Sequence, residues 1–273
     1  MKTITFKTIF AAGLLAAICI TADAQKLPNV QQTGVYAPAN VKIDGKATEW
    51  DNKFQAYNNA TDIFYTIANN DDYLYLIVQA TDANVIRKIV ERGVTLTIKK
   101  SKNLMGDMSF TFPINNDTRG MSLNLNTRMN LMRRTPEDTS ARALDSIMMH
   151  NNKTLGEKHK WIQVTGVKDV DSLISVYNDQ GIKAVGSFNT KKAYTFEMSV
   201  KLKLLGLSTS DATKFSYQLK VNGARSAGPI TTIINGDRLS ADEVAQVLAD
   251  ANAKMNSING PTYFNGEYTL AKK

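Results

Sequence analysis

Between Val41 and Asp82 the hydrophobic and polar residues follow a pattern that organises the rest of the chain. Ile43-Asp44-Gly45-Lys46-Ala47-Thr48-Glu49-Trp50 reads as a short strand, a glycine turn and a large apolar anchor. Ile63, Tyr65 and Ile67 then alternate with Phe64, Thr66 and Ala68, the period of two that marks a strand. Asn69-Asn70-Asp71-Asp72 supplies turn chemistry, because these side chains bond their own backbone and tolerate left-handed conformations. In the strand that follows, Leu74, Leu76, Val78 and Ala80 share one face, and Tyr73, Tyr75, Ile77 and Gln79 share the other. Both faces are largely apolar. The pattern predicts a hairpin covered on both sides, the nucleus of a β-sandwich, with Trp50 as a core residue beside it.

The same reading extends downstream. Val85, Ile86, Ile89 and Val90 recur at helical spacing up to Gly93. Val94 to Ile98 and Met108 to Phe112 are strands by alternation and β-branched content. Thr135-Pro136-Glu137-Asp138 has the makings of a helix start, and Ala141, Leu144, Ile147 and Met148 give that helix an apolar face ended by Asn151-Asn152. Strands resume at Trp161 to Val164, Ile174 to Tyr177, Ala184 to Phe188, Tyr194 to Val200 and Phe215 to Val221, the last followed by an Asn222-Gly223 turn. Ser240-Ala241-Asp242-Glu243 is a capping box that opens a helix striped by Val244, Val247, Leu248, Ala251 and Met255. Tyr263 to Leu270 reads as a closing strand. The expected fold is all-β: an antiparallel, jelly-roll-like β-sandwich over 41–273, with a helical insertion at about 115–160 and a helix near the C-terminus.

The first residues read as an address rather than as structure. Lys2 and Lys7 precede a short apolar run from Ile9 to Ile20, and Ala22-Asp23-Ala24 offers the small-x-small pattern of a cleavage site. That run is shorter than the ~20 apolar residues that span a bilayer. The expectation is therefore a signal peptide over 1–24 and an exported, soluble protein, periplasmic, surface-associated or secreted. Residues 25–40 are polar and carry Pro28, Gly34 and Pro38, which reads as a linker or a loose N-terminal arm. Cys19 is the one cysteine and lies in the expected leader, so the remainder has no thiol for disulfides, metal binding or nucleophilic chemistry. The net charge of +8 is diffuse, favouring anionic surfaces in general without a basic-aromatic nucleic-acid motif.

Motifs for chemistry are sparse. His150 and His159 stand outside any HExxH or HxH context, and no GxSxG, P-loop or GxGxxG occurs. The expectation is a non-enzymatic protein.

Ile43-Asp44-Gly45-Lys46, Glu49-Trp50, the Asp72-Tyr73-Leu74-Tyr75 strand entry and Asp82 resemble the opening of the family 9-like carbohydrate-binding modules. Tyr194 to Gly206 is similar to that family's late strand, with Lys201 where a proline is usual, and Phe264-Asn265-Gly266-Glu267-Tyr268 is similar to its ending. The resemblance spans about 41–270. It implies a β-sandwich of the DOMON-like group and, as function, recognition of a glycan or another cell-envelope ligand.

Sugar rings stack on exposed aromatic faces, and their hydroxyls pair with polar side chains. Trp161 and Tyr177 are the candidate platform. Arg133 and Arg134, beside the insertion helix, are candidates for gripping an anionic or planar ligand through guanidinium forks. Asp71, Asp72 and Asp82 are oxygen donors near turns, of the kind calcium takes. Two other readings remain open at this point: an envelope scaffold that works through the 115–160 insertion, and a polysaccharide-active enzyme with paired carboxylates. Haem binding, implied by kinship with the DOMON group, would need His150, His159 or a methionine.

Overall fold

A computed structural model describes residues 26–99, 106–115, 123, 141–210, 213–224, 228–231 and 239–273. The expected leader, together with Arg133, Arg134 and the Thr135-Pro136 helix start, lies outside the described residues.

Two antiparallel sheets face each other. The first contains β1 (Ala56–Asn58), β2 (Ile63–Asn69), β3 (Tyr73–Ala80), β8 (Ile182–Phe188) and β9 (Tyr194–Lys201), in the order β1-β2-β3-β9-β8. The second contains β4 (Val94–Ile98), β5 (Met108–Ile114), β6 (Trp161–Thr165), β7 (Leu173–Ser175), β10 (Lys214–Val221) and β11 (Thr262–Thr269), in the order β11-β10-β4-β5-β6-β7. The β-sandwich read from the alternation is the architecture found. Leu74, Leu76, Val78, Phe196 and Met198 of one sheet meet Leu96, Phe110, Phe112, Phe215, Tyr217 and Leu219 of the other in a single core. Helix α1 (Ala83–Arg92) crosses between the sheets and adds Val85, Ile86, Ile89 and Val90 to it. Asp82 caps α1 by accepting from the backbone N–H groups of Asn84 and Val85.

The hairpin β2–β3 is covered on both sides, as its apolar faces demand. Outside the first sheet, Ala68, Tyr75 and Ile77 lie under Ala37, Ala47 and Trp50 in a second apolar cluster. Trp50 is 8% exposed and sets its ring edge against Tyr75. Residues 48–50 form a short 3-10 helix in this wrap, and 41–43 are not a strand.

The stretch expected as a linker or loose arm is docked. β1 covers only the first part of the β2 edge, leaving Ile67 and Asn69 unpaired on that side. Gln31 fills the gap: its side-chain amide accepts from Ile67 N–H and donates to Ile67 C=O, both at 2.8 Å. The backbone of Val35 and Ala37 then pairs with Asn69. An uncovered strand edge would leave these polar groups unsatisfied, so the arm completes the sheet.

The insertion helix also departs from its reading. Helix α2 runs over Ala141–Lys158, through Asn151-Asn152. Asn151 is fully buried, and Asn152 turns its amide to the backbone N–H and C=O of Phe188 in β8. These asparagines serve tertiary contacts rather than a helix stop. Helix α3 (Ala241–Asn259) carries the expected capping box, Ser240 with Glu243.

Candidate functional site

On the second sheet, the inward turn of Val94, Leu96, Ile98, Phe110, Ile162 and Val164 into the core fixes what faces out. Strands β4, β5 and β6 present Thr95, Thr97, Ser109, Thr111, Trp161, Gln163 and Thr165 on the outer face, as the period of two requires. None is charged. A face kept only for solubility carries lysine and glutamate.

Strand register lines these residues up. Tyr263 pairs with Lys220, Lys220 with Thr95, Thr95 with Thr111, Thr111 with Gln163 and Gln163 with Leu173, which makes one row across all six strands. A second row runs Asn265, Gln218, Thr97, Ser109, Thr165. Side-chain bonds hold the rows in place. The hydroxyls of Thr95 and Thr111 are 2.8 Å apart, and Gln218 donates to Asn265 at 3.1 Å.

Along the middle of the first row the surface deepens into a cleft of about 450 Å3, lined by Thr95, Thr111, Ile114, Asn115, Gln163, Asn222 and Gly223 with Glu91 and Arg92 of α1. Asn222 donates to the Arg92 carbonyl at 2.9 Å and to the Thr95 hydroxyl at 3.0 Å, fixing its amide at the rim. The β5–β6 register shifts between Thr111 and Ile114, a bulge that re-aims the strand beside the cleft. Trp161 pairs with Ile114 at this point and is 40% exposed. Tyr177, 76% exposed, accepts a hydrogen bond from Lys160 Nζ at 2.7 Å and so stands at the same sheet edge. The cleft offers hydroxyls and amides, and the Trp161 indole stands next to it, paired with the lining residue Ile114. Among the described residues the cleft's lining carries one carboxylate, Glu91.

Other candidates read from the sequence lie elsewhere. Asp71 and Asp72 precede β3 and Asp82 follows it, a separation of about 26 Å along an eight-residue strand. The Asp82 carboxylate is committed to capping α1, and Asp71 accepts from the Tyr36 hydroxyl at 3.0 Å. The structure does not bring the three together, and no group of three metal-ligating acids, histidines or cysteines occurs among the described residues. His150 is exposed on α2, while His159 is buried edge-on to Phe112. Burial lowers the His159 pKa to about 4, so the ring is neutral in the core and closed to a haem.

A second concavity of about 590 Å3 lies outside the first sheet, between the Gly45–Thr48 turn, the β8–β9 tip and α2. Its floor is the Gln79–Thr195 hydrogen bond at 2.9 Å, and Met148, Met149 and Phe188 form its walls. The turn is set by Glu197 of β9. This carboxylate accepts from Asp44 N–H and Gly45 N–H at 3.0 Å and from the Trp50 indole N–H at 3.2 Å. Gly45 has φ +79°, and a Cβ there would lie 2.8 Å from Ser187 N, so the turn admits glycine. Burial raises the Glu197 pKa to about 7 against the pull of its three donors.

Reading by sequence singled out Trp161 and missed Gln163, Thr95, Thr111, Asn222 and Tyr263. The usable signal was Trp161-Ile162-Gln163-Val164-Thr165, whose odd positions are polar or aromatic without charge. Asn222 was legible only as a turn residue.

No helix among the described residues is long and apolar enough to cross a membrane. No family model matches the chain, and no curated protein matches it. Among solved structures the chain is similar to a family 9 carbohydrate-binding module from Caldicellulosiruptor kristjanssonii in complex with glucose. The identity is 10% and the TM-score 0.38, over 88% of this chain and 95% of that one. The two-sheet architecture and the site stand on strand pairing and side-chain geometry rather than on a likeness of that size.

Proposed function

We propose that this is an exported, non-catalytic module that binds a glycan of the cell envelope or its surroundings on the outer face of the six-stranded sheet. One observation carries the reading: β4, β5 and β6 turn out hydroxyls, an amide, Ile114 and Trp161, none of them charged, with the cleft of Thr95, Thr111, Gln163 and Asn222 beside that indole. Uncharged donors and acceptors of this kind match sugar hydroxyls, and an indole face matches the apolar side of a pyranose. Export rests on the leader pattern in residues 1–24.

Isothermal titration of residues 25–273 against a panel of soluble glycans tests this. Saturable binding to at least one glycan, lost on Trp161→Ala and on Gln163→Ala with the melting temperature unchanged, supports it. Binding that survives both substitutions puts the site elsewhere, and a panel without binding removes the glycan.

A further inference from the structure

We propose that the concavity of about 590 Å3 outside the five-stranded sheet is a second binding site, for a small uncharged molecule with an apolar body and one amide group. It lies on the opposite sheet from the cleft beside Trp161, next to the layer that covers Tyr75 and Ile77, and it does not rest on the glycan reading. A hollow of this size, with apolar walls and a few convergent polar groups, is what a small organic ligand requires. Met148 and Phe188, both buried, form two of the walls, and Met149, 73% exposed, forms a third. Thioethers adapt to the outline of an apolar guest and make favourable contacts with aromatic rings.

The floor sets what the guest must carry. Gln79 Nε2 donates to the Thr195 hydroxyl at 2.9 Å, which leaves the Gln79 carbonyl oxygen to accept and the Thr195 O–H to donate. An amide brings both an N–H and a C=O and answers the pair, whereas a hydrocarbon would cover these groups and leave them unpaired. Among the described residues the charges of the lining are Lys46 and Asp145, both exposed and of opposite sign. Lys46 Nζ lies 3.7 Å from an Asp44 carboxylate oxygen, so neither an anion nor a cation is favoured. The walls stand without a ligand. Ser187 donates its hydroxyl to Gly45 C=O at 2.7 Å and fixes the turn against β8. Asn152 holds α2 to the same strand through both backbone groups of Phe188. The Asn189 side chain accepts from Lys191 N–H at 2.9 Å and Ala193 N–H at 3.0 Å and shapes the β8–β9 tip. Walls fixed beforehand lower the cost of ordering a bound molecule.

The test is a titration followed by NMR in protein labelled at its methionine methyl carbons, with N-acetylphenylalaninamide, ethylbenzene and free phenylalanine as probes. The acetylated amide should shift the Met148 and Met149 methyls saturably and leave those of buried Met198 and of Met255, 37% exposed on α3, in place. It should bind more tightly than ethylbenzene, which lacks the amide, and than zwitterionic phenylalanine. Met149→Ala should weaken it severalfold with the melting temperature unchanged, because that side chain covers little of the core. Gln79→Leu should weaken it severalfold and spare ethylbenzene; if that variant melts lower, the wild-type preference for the amide over ethylbenzene decides. The response should persist in Trp161→Ala. Methyls of Met148 and Met149 that no probe moves, or an equal shift at Met255, overturn the site. Equal affinity for ethylbenzene overturns the amide, and equal affinity for free phenylalanine overturns the uncharged ligand. A response lost in Trp161→Ala assigns the probe to the other sheet and overturns the proposal, while the glycan reading is decided by its own titration.

Discussion

Outside the five-stranded sheet, Tyr75, Ile77 and Glu197 lie beneath a wrap of chain running from the docked arm to Trp50. Outside the six-stranded sheet, Thr95, Thr97 and Gln163 face outward, and among the described residues no such wrap lies over them. Each sheet turns an apolar face inward, so the difference lies in what the alternate positions carry. Where those positions are apolar, as in β3, the chain must supply a second layer, and it does so with Ala37, Ala47 and Trp50. Where they are uncharged and polar, no covering layer is needed and a ligand can take its place. If the open face binds as proposed, one outer face serves stability and the other contact, and substitutions on the two should separate cleanly.

The sharpest way to break that contrast is at Glu197. Its removal strands three donors at once, the N–H groups of Asp44 and Gly45 and the indole of Trp50. A buried donor left unpaired costs about 1–3 kcal/mol. Glu197→Ala should therefore lower the unfolding free energy by about 3–5 kcal/mol in urea titration. Thr97→Ala on the open face should stay within about 0.5 kcal/mol of wild type. Equal losses at the two positions would erase the distinction between the faces.

The same carboxylate gives the comparison a pH signature. Its folded pKa of about 7 lies above the ordinary 4.5, chiefly through burial, with the Asp44 charge adding to the rise. Below pH 4.5 both folded and unfolded chains hold the proton, and this stabilising contribution is fully present. As the pH climbs, the unfolded chain releases its proton first, and the contribution is lost by the time pH passes about 7. The loss is at most about 3 kcal/mol. Unfolding free energies measured from pH 4 to pH 8 should show this decline, and Glu197→Gln should flatten it. The amide does not titrate, although its NH2 must face one of the three donors and lowers stability throughout. A wild-type profile that rises over this window would reverse the assignment.

The hairpin, the helix after it and most later strands were legible because alternation and helical spacing are local and follow directly from where side chains point. The covering layer was harder to read. Trp50 could be placed in a core from its size and its position after an apolar strand, but its hydrogen bond to Glu197 joins residues 147 positions apart. The docked arm was misread for a related reason. Gln31 is a polar residue in a polar stretch, and only the short reach of β1 along β2 makes its amide a substitute for a strand. The rows of the open face were invisible because they are a property of register. Thr95, Thr111 and Gln163 become neighbours through pairing that no single strand announces.

Gln31 offers a smaller test of the covered face. Its amide makes two hydrogen bonds to Ile67 and one to Thr33 C=O, and its own N–H donates to the Tyr65 hydroxyl. Gln31→Ala keeps the backbone bond and loses the side-chain ones, leaving Ile67 N–H without its partner. The expected loss is about 2 kcal/mol. Hydrogen exchange should locate the effect, with faster exchange at Ile67 and at Ala37, whose N–H pairs with Asn69 C=O, and little change in β4 and β5. Exchange that quickens evenly over the whole chain would mean that the arm is part of one cooperative unit rather than a local cover.

The smallest effect on stability should come from the open face, where the effect on binding should be greatest. Trp161 is 40% exposed at a strand end, and Gln163 points away from the core between Ile162 and Val164. Replacing either by alanine removes side-chain atoms that cover little of the interior, so the change in unfolding free energy should remain within about 0.5 kcal/mol. Loss of a stacked indole from a bound sugar removes an apolar contact that nothing else at that edge replaces. The glycan affinity of Trp161→Ala should accordingly fall tenfold or more, about 1.4 kcal/mol, in the same titrations that leave its melting temperature unmoved. A Trp161→Ala protein that melts several degrees lower and binds as before would show that the indole serves the sheet rather than a ligand. The open face would then be stabilising surface like its counterpart, and the division of labour between the two sheets would fail.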